Sequence, residues 1–97
     1  MQDPQVLARL KTGPRTVGAR QTVKALQRGV ARVVFVAKDA DPDVVAPVVQ
    51  LTRGQPVEVV YVESMLALGR ACGIDVGASA AAIVTEDPQA KRQRKGG

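Results

Sequence analysis

The sequence contains no histidine, no tryptophan and a single cysteine, Cys72. With no imidazole and one thiol, no group of ligands can close around a zinc ion, so no metal site is expected. An intrachain disulfide is impossible, which suits a reducing cytoplasm. Aromatic rings are almost missing: Phe35 and Tyr61 make up the 2% aromatic content, too few for the stacking platform that holds single strands. No segment approaches the roughly 18 apolar residues of a membrane span, and no apolar leader opens the chain. The expectation is a soluble cytoplasmic protein with no membrane partner. Cys72 falls where a helix should end, the wrong pole for stabilising a thiolate. Without a histidine to act as base it reads as core packing rather than as a nucleophile. An enzyme is therefore not expected, nor a cofactor.

What is present is a 97-residue chain with 45% hydrophobic content, drawn from Val, Leu, Ile and Ala. That length makes one domain, able to bury roughly two-thirds of its unfolded surface. Charge is unevenly spread. Residues 1–36 carry seven cations against Asp3 alone, a net +6; residues 37–90 carry three against eight carboxylates, a net −5; residues 91–97 add four cations. Such asymmetry points to a polyanionic partner; the alternative is a solvated, solubilising surface.

Asp3-Pro4 reads as a helix cap followed by proline at the first helical position, with Val6, Leu7 and Leu10 as the apolar face. Thr12-Gly13-Pro14 breaks that helix, and Arg15-Thr16-Val17 is a brief extended segment. A second helix covers about residues 18–28 and ends at Gly29. Residues 32–37 form an unbroken apolar run, the mark of a strand buried on both faces. Asp41-Pro42-Asp43 opens a third helix to about residue 53, with Pro47 placed to kink or end it. A strand over 57–62 follows, then a helix from Ser64 through Cys72 with Met65, Leu68 and Ala71 inward and Gly73 as its stop. Residues 80–85 make a small-residue strand, and the polar, basic stretch from Glu86 reads as a disordered tail. Helices alternating with buried strands argue for an α/β/α sandwich with a partly parallel sheet. The domain is placed at 1–86 and the tail at 87–97.

The second helix has two faces. Val23, Leu26 and Val30 make an apolar stripe. Arg20, Lys24 and Arg28 make a cationic one, with Gln21 beside it able to donate to and accept from a base edge. Gly18 at the helix entrance lets another backbone come close, and a helix N-terminus favours an anion. Further on, Ile74 and Val76 flank Asp75 in a glycine-bounded turn. Both apolar residues can tuck into the core, leaving Asp75 solvated, or they can form a lip against an unstacked nucleotide. Asp39, Asp41 and Asp43 could suggest an acid–base or magnesium site, but Asp41 and Asp43 are better explained as helix-start residues.

Three segments resemble the kink-turn RNA-binding family of ribosomal proteins, its bacterial branch most nearly: residues 18–24 (Gly-Ala-Arg-Gln-Thr-Val-Lys), residues 36–42 (Val-Ala-Lys-Asp-Ala-Asp-Pro), and Leu68-Gly69 through Val76-Gly77-Ala78. The likeness spans about residues 5–85. It implies a three-layer α/β/α sandwich around a mixed four-stranded sheet. It also implies a noncatalytic protein that stabilises kink-turns in structured RNA, ribosomal or regulatory, in association with the ribosome and as a monomer. In the binding mode it implies, Gly18 admits the RNA, Gln21 and Lys24 contact guanines, and Arg20 and Arg28 contact bases or phosphates. Lys38 reaches the backbone, and Ile74, Asp75 and Val76 hold the flipped-out bulge nucleotide. Many relatives carry Asn-Glu where this chain has Arg20-Gln21. A neutral amide accepts more weakly than a carboxylate, so base selectivity is expected to fall while nonspecific charge rises. A different reading makes the chain a ribosome-associated scaffold or regulator that works through protein contacts on its acidic half.

Overall fold

The computed structural model describes residues 8–11 and 13–85. The helix start at Asp3-Pro4, the apolar positions Val6 and Leu7, Thr12, the domain boundary and the basic tail lie outside the described residues.

Seven elements follow in order: β1 (Arg15–Val17), α1 (Ala19–Arg28), β2 (Ala31–Ala37), α2 (Pro42–Thr52), β3 (Glu58–Val62), α3 (Met65–Cys72) and β4 (Ala80–Val84). Local chemistry sets their ends. The Asp41 carboxylate accepts the Asp43 backbone N–H at 2.9 Å, and the Ser64 hydroxyl accepts that of Ala67 at 3.0 Å, so each satisfies a donor in a first turn. Gly29 and Gly73 end α1 and α3 in the left-handed conformation, at φ 72° and 82°. In both, the next residue donates to the carbonyl five positions back, Val30 to Ala25 and Ile74 to Gly69. Pro47 neither ends nor interrupts α2, which continues to Thr52.

The strands lie in the order β1-β4-β2-β3. β4 runs antiparallel to both neighbours, while β2 and β3 are parallel. The sheet is thus mixed, and the β2–β3 crossover carries α2. α1 and α2 pack together on one face, and α3 lies on the other against β2, β3 and β4. The result is a three-layer α/β/α sandwich. Phe35, Val34, Val36 and Ile83 form its centre with Leu10, Leu26, Val48 and Leu68 from the outer layers. The alanines at 80, 81 and 82 are fully buried and let the layers approach. β3 departs from expectation: as the edge strand it is only half-buried, with Tyr61 48% exposed.

The inward face of α1 differs from the sequence reading. Thr22, Ala25 and Leu26 are its buried residues, while Val23 sits at the margin. Thr22 is tolerated there because its hydroxyl pairs with that of Thr16 at 3.0 Å.

Candidate nucleic-acid interface

The strand order gathers one end of every strand at a single pole: the carboxyl ends of β1, β2 and β3 and the amino end of β4. Three of the described helices, α1, α2 and α3, start there. Across the pole stand Gly18 after β1, Ser79 before β4, Lys38 after β2 and Glu63 after β3. At about 4.8 Å between strands, Gly18 and Lys38 are separated by about 10 Å.

Gly18 has φ 98° and ψ 152°, a backbone region that is essentially glycine-only. Its N–H donates to the Ala80 carbonyl at 2.7 Å and its carbonyl accepts from Thr22 at 3.1 Å, which locks the strand-to-helix turn. The space where a side chain would stand is open. The first turn of α1 has neither a side-chain cap nor a carboxylate. α2 and α3 begin with Asp41 and Ser64 as caps, and α3 gains Asp39, whose carboxylate accepts the Met65 N–H at 2.7 Å. Of the three described helix starts at this pole, α1 alone is left without a side-chain oxygen, its positive end facing outward.

Arg20, Gln21 and Lys24 are exposed beside that end. Arg28 is exposed too, but it stands at the far end of α1, about 15 Å from Gly18 at 1.5 Å per residue. Lys38 is exposed and pairs with Glu63 at 3.6 Å. Asp39, Asp41 and Asp43 are exposed at the same pole, and Asp75 is exposed in the loop that follows α3. The charge at this pole therefore runs from cationic on the α1 side to anionic on the β3 side.

The 74–77 loop runs back along α3 from its C-terminal end toward this pole. Ile74 is half-buried against the core, whereas Val76 is 66% exposed and Asp75 points to solvent. The two apolar residues thus divide between the packing and lip readings. Contacts with α3 hold the loop: the Ile74 N–H donates to the Gly69 carbonyl and the Ala78 N–H to the Met65 carbonyl, each at 3.0 Å, the Val76 carbonyl sits against Gly69, and Gly77 lies against Met65. Gly69 and Asp39 are the positioning residues that sequence reasoning missed. A glycine in mid-helix costs about 1 kcal/mol relative to alanine, and that cost was the available signal for a close approach. Nothing local marks Asp39, whose partner is 26 residues away.

Cys72 lies away from this pole, in the core at 1% exposure. Burial pushes its thiol up, against a smaller opposing pull from the Arg15 guanidinium. It is packed and protonated, not a nucleophile.

Over residues 4–92 the chain matches the ribosomal protein L7Ae/L30e/S12e/Gadd45 family. The chain belongs to this family. Among similar L7Ae-family members, a Bacillus pumilus protein named RNA-binding protein is 50% identical over 68 residues, 70% of this chain and 83% of the relative. The large ribosomal subunit protein eL8 of Halobacterium salinarum is 43% identical over 74 residues, 75% of this chain and 62% of the relative. The solved 15.5kD RNA binding protein of Giardia lamblia superposes with a TM-score of 0.78 at 28% identity, covering 98% of this chain and 86% of that one. The chain thus has the L7Ae-type α/β fold of this structural neighbour. Among the described residues no helix is long and apolar enough to cross a membrane.

Proposed function

We propose that this L7Ae-family protein is a noncatalytic RNA-binding protein that recognises kink-turn RNA and holds it in the bent form. The observation that carries the reading is the uncapped start of α1, where open space at Gly18 adjoins the exposed Arg20, Gln21 and Lys24. Groups of this kind meet phosphates and base edges in a widened groove. The RNA-binding names of the relatives support the same reading.

In this proposal Gly18 admits the RNA backbone, and Gln21 and Lys24 contact the guanines of the sheared pairs. Arg20 reaches bases or phosphates nearby, and Arg28 the phosphates farther along the stem. Lys38 touches the backbone from the middle of the pole. Val76 and Asp75 hold the bulged nucleotide, with Ile74 supporting them from its seat on the core. The protein acts as a monomer on ribosomal or regulatory RNA in the cytoplasm. Binding only the bent form shifts the RNA population toward it.

The test is a titration of a doubly labelled kink-turn RNA, reading affinity and bending together. A control RNA has its G·A pairs replaced by Watson–Crick pairs. Tight binding with bending of the first RNA alone is expected. Equal, salt-sensitive binding to both reduces the α1 face to a general RNA patch. Lys24→Ala is expected to weaken kink-turn binding by about 1–3 kcal/mol; unchanged affinity removes α1 from the interface. Asp75→Ala is expected to fold normally and alter preference at the bulge.

A further inference from the structure

The opposite end of the sheet carries a second cationic surface. The helices finish there, β2 and β3 begin, and β4 ends. A groove of about 550 Å³ opens at this end, lined by Arg9, Arg32, Glu58, Pro14, Pro56 and Val84 with neighbouring residues. A β-bulge puts Arg32 there: Ala31 pairs with Val84 and Val33 with Ile83, so Arg32 is the extra residue and stands exposed between two buried neighbours. Among the described residues the one ion pair joins Lys38 and Glu63 at the other pole, so neither Arg9 nor Arg32 is neutralised by Glu58.

We propose that this groove binds the sugar–phosphate backbone of an RNA duplex, as a surface separate from the kink-turn interface. It rests on the RNA-binding reading but not on recognition of the kink. Among the described residues the exposed carboxylates Asp39, Asp41, Asp43 and Glu63 lie at the first pole, and Glu58 is the one carboxylate in the described lining beside Arg9 and Arg32, with Arg28 and Arg53 at nearby helix ends. Arg28 and Arg53 have an ordinary explanation, since a cation complements a helix C-terminus. Arg32, on a strand, has none. Paired guanidinium forks match phosphate oxygens, and no aromatic ring stands in the described lining. Glu58 decides between partners. A carboxylate beside the two arginines repels an anion of any kind unless the partner offers it a donor. It accepts from a ribose 2′-hydroxyl, which RNA supplies and DNA does not. With β2 spanning about 20 Å at 3.3 Å per residue, the two poles can engage separate RNA segments.

The test uses the full chain saturated with unlabelled kink-turn RNA and titrated with a labelled, fully paired RNA duplex at several salt concentrations. Capture of the duplex is expected. Arg9→Gln/Arg32→Gln should weaken it at least tenfold and reduce the log–log salt slope by about 2, with kink-turn affinity unchanged. Glu58→Gln should narrow the preference for RNA over DNA duplex. Arg20→Gln/Lys24→Gln should leave capture intact, and that variant without kink-turn RNA reports the groove even where the kink-turn reading fails. No capture by the wild-type chain overturns the proposal. So does capture that Arg9→Gln/Arg32→Gln leaves untouched, or a preference for polyglutamate over the duplex.

Discussion

The carbonyl group of Val76 is seated against the α carbon of Gly69, so near that any side chain on Gly69 would overlap its oxygen. The 74–77 loop is thereby fitted onto α3 backbone to backbone. Alanine is ordinarily the better helix former by about 1 kcal/mol. Here overlap reverses the sign: Gly69→Ala is expected to destabilise by about 1–3 kcal/mol. It should also weaken RNA binding, although residue 69 is buried. A thermal melt with an RNA titration checks both; a stabilised variant with unchanged affinity removes the fit.

Gly18→Ala isolates backbone strain from crowding, because the site has room for a methyl group but not the conformation for one. The expected loss is about 1–3 kcal/mol. Gly54→Ala is the control, being equally uncrowded and without a positive φ. Denaturant midpoints of the two variants should separate clearly.

Glu63 holds Lys38 away from any other anion at 3.6 Å, in an exposed pair of small energetic worth. Glu63→Gln is expected to change stability by less than about 1 kcal/mol and to raise RNA affinity a few-fold at low salt. Lys38→Ala should lower it. Titrations at two salt concentrations check the pair, and the gain from Glu63→Gln should shrink as salt rises.

Cys72 yields a pH prediction. Burial raises its folded-state value above the ordinary 9.0. As pH passes the unfolded value, the unfolded chain releases the thiol proton first and binds fewer protons than the folded one. Stability therefore falls with rising pH above about 9 and is unaffected by this group below it. The loss of stability between about pH 8 and about pH 10 should be larger in the wild type than in Cys72→Ala. Alkylation at neutral pH should require unfolding.

Features written in local chemistry were legible in the sequence. Asp41-Pro42 and Ser64 announced helix starts, and Gly29 and Gly73 announced ends, because capping involves neighbours only a few residues apart. The exposed Arg20–Lys24 edge of α1 was legible for the same reason. What escaped depends on partners far along the chain. Thr22 is buried where a polar residue was not expected, because Thr16 meets its hydroxyl. Asp39 looked like a stray carboxylate until the fold brought Met65 to it. Pro47 reads as a break in isolation, yet α2 runs through it to Thr52. The half-exposed state of β3 follows from its place at the sheet edge, which no pattern within residues 58–62 records.

The strand order also has a consequence in time. β4, last of the described strands to leave the ribosome, stands between β1 and β2 and is hydrogen-bonded to both. Until residues 80–84 have been synthesised, β1 has no neighbour and the β2–β3 pair lacks its inner partner. The Gly18 turn, anchored on the Ala80 carbonyl, is incomplete as well. A nascent chain cut short of this strand cannot display half an interface. The proposed interface therefore depends on the insertion of three alanines, an isoleucine and a valine between strands made earlier.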